Sequence, residues 1–338
     1  MKIIFSKKGF DDTNGKVPSP VFDEKGTKFI SMPIPAVKNG CDKIPYSEIE
    51  YHGHNLGELV EKLKGKKVIE LEPLIEGGKK RTKTEKLTRI SLCHFDPQLV
   101  QNEKDDKSKN WKPLFGQASS TQGHLANQKV KEEALFLFFG HFRQIDENKE
   151  EKIFTAIYGW LQVEECIDLK NISEEDKAKL KKDKPYIVEH PHFKWQPNTE
   201  NNTIYTGKDF LDIGQTNTET KGAGLFDRLY ILTEEKKGAE TNAENRNLDK
   251  LEFLSKTNWI LPKCLSPLDD SKVTLTYNSK FDEKTGLEKD NWRKNVNDKN
   301  TCKLRAPQTF AQEFVLNYDN ADQKTKKDIE TWVKNLFA

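Results

Sequence analysis

The longest apolar stretch of the chain, Ala134-Leu135-Phe136-Leu137-Phe138-Phe139-Gly140-His141-Phe142, is hydrophobic at odd and even positions alike. Successive side chains of a strand point to opposite faces, so this pattern predicts a strand covered on both sides. Its expected partner is 154–163, rich in β-branched and aromatic residues and joined to it through the polar tip 146–152. The two are predicted to pair as a hairpin at the heart of the fold.

Shorter runs extend the picture. Lys2-Ile3-Ile4-Phe5-Ser6 reads as a strand that runs into a loop at Gly9, Asp11 and Asp12, and further strands are expected at 87–92, 202–205, 229–232, 273–277 and 313–316. Leu56, Leu59, Val60 and Leu63 recur at helical spacing behind Asn55, with Glu58 placed as in a capping box. Ser119-Ser120-Thr121 opens a short helix through His124 and Asn127, and Ser173 with Asp176 starts a charged helix that ends before Pro185. Ile329, Trp332, Val333, Leu336 and Phe337 line one face of a last helix, capped at Asn320 or a neighbour. Strands with interspersed helices but no regular strand–helix–strand alternation predict an α+β fold. The expected form is a mixed, mostly antiparallel sheet or partly open barrel around the central hairpin, with peripheral helices. One elaborated domain is read over 1–338, with polar surface insertions near 234–250 and 280–303.

Charge narrows the function classes. Fifty-six Lys and Arg against 54 Asp and Glu leave a net +2, far from the basic balance of proteins held on DNA by phosphate contacts over their whole surface. Any nucleic-acid surface must therefore be local. No apolar run approaches the roughly 18 residues that cross a bilayer, and the opening apolar stretch is too short for a signal peptide, so a cytoplasmic protein without membrane contact is expected. Five scattered cysteines with no C-x-x-C spacing predict free thiols and no structural zinc.

Chemistry-bearing residues fall in three places. His94 and Asp96 share a strand face by their spacing and suit an acid/base pair or two metal ligands. Adding His141, His190 or His192 would complete a two-histidine, one-carboxylate set of the kind that holds non-haem iron. No arginine stands at the offset expected for a 2-oxoglutarate carboxylate, and the rhythm of a double-stranded barrel is absent. The reading favoured from sequence is therefore a hydrogen-bonded cap before Pro97, with no metal and no cofactor. Ser6, Lys8 and Asp11 at the first strand tip offer a nucleophile, a phosphate contact and a base. Gln117, Gln122, His124 and Asn127 offer amide and imidazole groups to base edges, or else a self-capping helix start. Trp160, Phe193 and Trp195 offer stacking surfaces, or else core. The catalytic candidates are His94, Asp96, His124 and Asp11. Those for nucleic-acid contact are Ser6, Lys8, Gln117, Gln122, Asn127, His190 and Trp160.

Several motifs in order along the chain carry a resemblance. They are Ile4-Phe5-Ser6-Lys7-Lys8-Gly9-Phe10-Asp11 with Pro18-Ser19-Pro20, His94-Phe95-Asp96-Pro97, Phe115-Gly116-Gln117 running to Gly123-His124-Leu125 and Asn127-Gln128, Leu135 to Phe142, Tyr158-Gly159-Trp160-Leu161, His190-Pro191-His192-Phe193, Gly222-Ala223-Gly224 and Gln312-Glu313-Phe314-Val315. Together they resemble the family called nucleotide modification associated domain 3. The resemblance implies a companion of DNA-modifying enzymes in mobile or phage-related gene neighbourhoods, and it carries over no catalytic residues. The chain departs from the family pattern at Lys7, where arginine is usual, at Lys131-Glu132-Glu133-Ala134, and at His141, where tryptophan is usual. The stretch 135–139 with Tyr158-Gly159-Trp160-Leu161-Gln162-Val163 is also similar to the PUA-like barrel group, which implies an aromatic pocket for unusual bases. The expected function is a nucleic-acid-directed protein of a base-modification or phage-defence system whose partner is nucleic acid or a modified nucleotide. The alternative is a non-catalytic PUA-like reader.

Overall fold

The expected hairpin lies in the middle of a nine-stranded sheet. The computed structural model describes residues 1–36, 42, 44–64, 69–76, 79–85, 87–105, 110–145, 152–194, 201–213, 217–236, 247–269, 271–277, 291–306 and 313–338. Along the chain the strands of the large sheet are β1 (Ile3–Lys7), β2 (Ser19–Val21), β3 (Leu114–Ala118), β4 (Leu135–Gln144), β5 (Ile153–Asp168), β6 (Asn202–Gly207), β7 (Ala223–Ile231), β8 (Thr274–Tyr277) and β9 (Glu313–Asn317). They run in the order β3-β6-β5-β4-β1-β9-β8, with β7 added to β5 and β2 added to β4. β1 and β2 each lie parallel to β4, and the other pairings are antiparallel. The sheet is open, with no closure into a barrel among the described strands.

The two-sided hydrophobicity of β4 has its counterpart in two cores. Leu135, Leu137 and Phe139 join Ile3, Phe5 and Phe314 on one face, under a helix α6 (Gln323–Asn335) that contributes Ile329 and Val333. Phe136, Phe138 and Phe142 join Ile4, Phe115 and Tyr205 on the other. β4 and β5 pair as a hairpin with a bulge at Tyr158, because Phe138 faces Gly159 while Phe139 faces Ile157.

Two satellite layers flank the sheet. One gathers Phe10, Tyr46, Ile49 and Phe95 around helix α1 (Leu56–Lys64), whose start is capped as expected: the Asn55 Oδ1 accepts the Gly57 and Glu58 amides at 3.0 and 3.3 Å. The other covers the outer end of β3 and β6 with helices α3 (Glu174–Asp183), α4 (Pro185–Val188) and α5 (Pro191–Lys194), which bring in Ile187 and Phe193. A further helix, α2 (Ser119–Asn127), follows β3 directly.

Some elements differ from the sequence reading. Residues 88–91 form a turn closed by the Ser91 Oγ, which accepts the Thr88 amide at 3.0 Å, and the strand begins only at Leu92. Ile90 is 74 % exposed, so its apolar character did not mark a buried strand. The described part of the expected polar insertion 280–303 contains strand Trp292–Lys294 and the start of Thr301–Arg305, which pack on strand Asn258–Pro262 through Trp292, Trp259 and Leu304. α6 is capped by Asp322, two residues beyond Asn320, its Oδ1 accepting the Thr325 amide at 2.8 Å. Cys93, Cys166, Cys264 and Cys302 are free thiols, and Cys41 lies outside the described residues.

Candidate functional site

Strand register makes the first half of the site. β1 pairs with β9 so that Ser6 sits directly opposite Glu313, on the same face as Ile4 and Val315 because side chains alternate. The Ser6 hydroxyl donates to Glu313 Oε1 at 2.9 Å, and the Gln117 side-chain amide, arriving from β3, donates to the same oxygen at 2.5 Å. The Lys8 ammonium stands 3.6 Å from that oxygen and lies over the Phe115 ring, 4.6 Å from its centroid. Glu313 Oε2 is buried and makes no hydrogen bond among the described residues. Burial pushes the Glu313 carboxyl up to about 7, against the opposing pull of Lys8, Ser6 and Gln117.

The second half forms where both satellite layers meet the edge strand β3. His94 ends the strand Leu92–His94, Asp96 follows it, and His190 and His192 flank the start of α5. The Asp96 Oδ1 accepts the Gly116 backbone amide at 2.8 Å and lies 3.0 Å from His190 Nε2. Because His190 Nδ1 accepts the His192 backbone amide at 3.2 Å, its proton must be on Nε2, and that nitrogen donates to Asp96. His94 Nδ1 is 2.8 Å from a carboxylate oxygen of Asp42, an acceptor only, so this nitrogen donates. Asn202 is oriented by its amide donating to the His192 carbonyl at 2.8 Å, which leaves its Oδ1 to accept from His192 Nδ1 at 2.8 Å.

Burial sets the electrostatics. It would raise Asp96, but the hydrogen bond from His190 and the electrostatic pull of the neighbouring imidazoles and Lys8 win and hold this carboxyl well below the usual carboxylate range. His192 is pushed down to about 3 chiefly by burial and so is neutral at physiological pH. The ligand atoms of His94, Asp96 and His192 lie within 4.8 Å of one another, near enough to close on one metal ion. His94 and Asp96 do not cap each other, because each turns to a partner from another layer. Gly116 makes the crowding possible: a Cβ there would stand 2.2 Å from His192 Cδ2 and 2.8 Å from His190 Cε1. The adjoining cavity, lined by Asp96, Pro97, Tyr158, Ser31 and Tyr51, measures about 30 Å³, the space of a single water.

Of the residues singled out from sequence, the structure brings Ser6, Lys8 and Gln117 to the first half and His94, Asp96 and His190 to the second. β3 links the halves, offering Gly116 to Asp96 and Gln117 to Glu313. Gln122 accepts the Tyr205 hydroxyl at 2.9 Å. His124 lies on the same short helix α2, its Nε2 buried and without a hydrogen bond among the described residues, and its pKa lowered by burial. Asn127 is exposed at the end of α2. Asp11 is elsewhere: it pairs with Lys7 at 2.7 Å and accepts the Thr13 and Asn14 amides at 2.8 and 2.6 Å, closing a turn. Trp160 is also elsewhere, donating to the Lys221 carbonyl at 3.0 Å and packing on Phe226 and Phe337. Trp195 lies outside the described residues. Sequence reading assigned no role to Asp42, Asn202 or Glu313. Only Glu313 left a signal, a carboxylate opening the apolar run Phe314-Val315-Leu316.

Fold and site together define a mixed α+β protein with a buried histidine and carboxylate centre at one end of an open sheet. Over residues 2–317 the chain matches the model of the nucleotide modification associated domain 3 family, and it belongs to that family. No curated protein and no solved structure matches it. No helix among the described residues is long and apolar enough to cross a membrane.

Proposed function

We propose that the protein is an enzyme acting on a base or nucleotide within a DNA-modification system, with its reacting centre at His94, Asp96 and His192. One observation carries this reading: three donor side chains converge within 4.8 Å, and each is fixed from behind by a separate partner. Burying such groups costs stability that apolar packing would not. Perturbed titratable groups held in fixed mutual geometry cluster where chemistry is done. Glu313, with its carboxyl near neutrality, supplies a second group able to take or give a proton at physiological pH. The approach runs past His94, whose side chain keeps 14 % exposure where that of Asp96 keeps 2 %. The family's association with nucleotide modification points the substrate class toward nucleic acid or its building blocks. In this reading the companions are base-modifying enzymes, in a phage-related or defence setting.

The test is incubation of the purified chain with plain and modified oligonucleotides, followed by nucleoside analysis. Conversion is expected with the native chain and is expected to fall at least about 100-fold in Asp96→Asn, which keeps the shape but loses the charge. Unaltered substrate in all samples counts against the reading, as does full activity of the variant.

A groove elsewhere supports a second reading, that of a non-catalytic, PUA-like reader. About 660 Å³ in volume, it is walled by Trp160, Phe226, Tyr230 and Phe337 beside Arg228 and Lys25, a combination that suits one stacked base and a phosphate. Binding of modified oligonucleotides that weakens in Trp160→Ala, while Asp96→Asn binds normally and no conversion occurs, selects this reading.

A further inference from the structure

We propose that His94, Asp96 and His192 bind one divalent first-row transition-metal ion. The proposal deepens the reading of the same site as a reacting centre, but metal uptake is measured on the protein alone.

Hydrogen bonds fix the tautomers of the two rings. His94 Nδ1 donates to Asp42 and His192 Nδ1 donates to Asn202, so each ring in its neutral form carries its lone pair on Nε2. A ring nitrogen held by a carboxylate or amide oxygen, with the opposite nitrogen presented as donor atom, is the arrangement that orients metal-ligating histidines. Asp96 is braced in the same way: Gly116 and His190 both donate to its Oδ1. His190 itself is not a ligand. Its Nδ1 is engaged by the His192 amide and its Nε2 carries the proton given to Asp96. Two imidazoles and one carboxylate are therefore each oriented from behind, by side chains or backbone of distant segments.

Distance and chemistry agree with this assignment. Three ligands at 2.0–2.2 Å from one ion stand about 3–3.8 Å apart, so atoms within 4.8 Å of one another reach that spacing by side-chain shifts on the order of 1 Å. Imidazole donors favour zinc, iron, cobalt or nickel over magnesium or calcium, which take oxygen ligands. Three protein ligands leave further coordination positions open, the pattern of catalytic rather than structural sites. Gly116 belongs to the design, since any side chain there would drive the two α5-side imidazoles away.

The experiment strips the full chain with chelator and titrates it with Co(II), then with Zn(II) and anaerobic Fe(II), following d–d absorption and bound metal by elemental analysis. One equivalent per chain is expected, with a rise in Tm on loading that is absent from the His94→Ala and His192→Ala variants. Asp42→Asn keeps all three ligands and the local shape, and is expected to weaken binding 10- to 100-fold. This variant keeps the proposal testable should an alanine variant fail to fold. His141→Ala, remote from the cluster, is expected to bind as the native chain does. The proposal is overturned if the native chain takes up no stoichiometric metal, if equimolar Mg(II) displaces the Co(II), or if affinity is unchanged in His94→Ala, His192→Ala and Asp42→Asn. Stoichiometric metal with no action on any nucleotide would leave this proposal standing and remove the functional reading.

Discussion

Glu313 shows how much one residue can set. Its folded carboxyl titrates near 7 where an ordinary glutamate titrates near 4.5. The folded state therefore holds a proton that the unfolded chain has already released between these values. By linkage, the Glu313 contribution favours folding below pH 4.5, declines as pH rises toward 7 and is flat above. Glu313→Gln removes that decline. Denaturant titrations should find the variant gaining on the native chain between pH 5 and pH 8 by on the order of 2–3 kcal/mol. A gap that does not move with pH would show that Glu313 is not proton-bound in the fold. Gly116→Ala is the complementary case, since the methyl group cannot be seated without moving His190 or His192. It is expected to cost about 1–3 kcal/mol by urea melting and to weaken any metal bound at the cluster. At this scale the sequence was legible in pairs. The spacing of His94 and Asp96 announced a shared face, but the residue that orients His94 stands 52 positions away, and no local pattern marks Asp42 as its partner.

Elements with a strong period were the ones read correctly, for a physical reason: where burial alone decides the pattern, the pattern is visible. β4 and β5 carry apolar residues on both faces because two cores press on them, and α1 and α6 show one apolar stripe because each covers one surface. β3 was not predicted as a strand. Its run Leu114-Phe115-Gly116-Gln117-Ala118 is short and broken by a glycine whose missing side chain leaves room for two imidazoles, so close packing against the histidines erased the strand signal there. The turn at 88–91 misled in the opposite sense, with an isoleucine left in water. The two cores predict a sharp contrast in stability. Phe138→Ala, at a fully buried position in β4, should cost about 3–5 kcal/mol, whereas Lys327→Ala on the solvent side of α6 should stay within about 0.5 kcal/mol. Equal losses at the two positions would mean that β4 is not the centre of the fold.

At the scale of the whole molecule, topology does what no segment announces. A central β1 hands Ser6 to β9 and Lys8 to the ring of Phe115, while a satellite layer on each side delivers histidines and carboxylates to the same edge strand. The near-neutral charge then matters again. With a net charge of only +2, attraction to a nucleic-acid backbone must come from a few local contacts, each adding about −0.9 to the slope of log affinity against log salt on duplex DNA. A shallow slope, equivalent to about two to four phosphates, is expected. A slope near −10 would require a broad basic face that the composition does not supply.

The cluster of His94, Asp96 and His192 is proposed to change a base or nucleotide. Mass spectrometry of nucleosides from cells that carry the native chain, the Asp96→Asn chain or neither, together with the base-modifying enzymes proposed as its companions, tests it most directly. A nucleoside whose abundance shifts with the native chain alone is the predicted result. Identical nucleoside profiles in all three cells, or the same shift with Asp96→Asn as with the native chain, would contradict it.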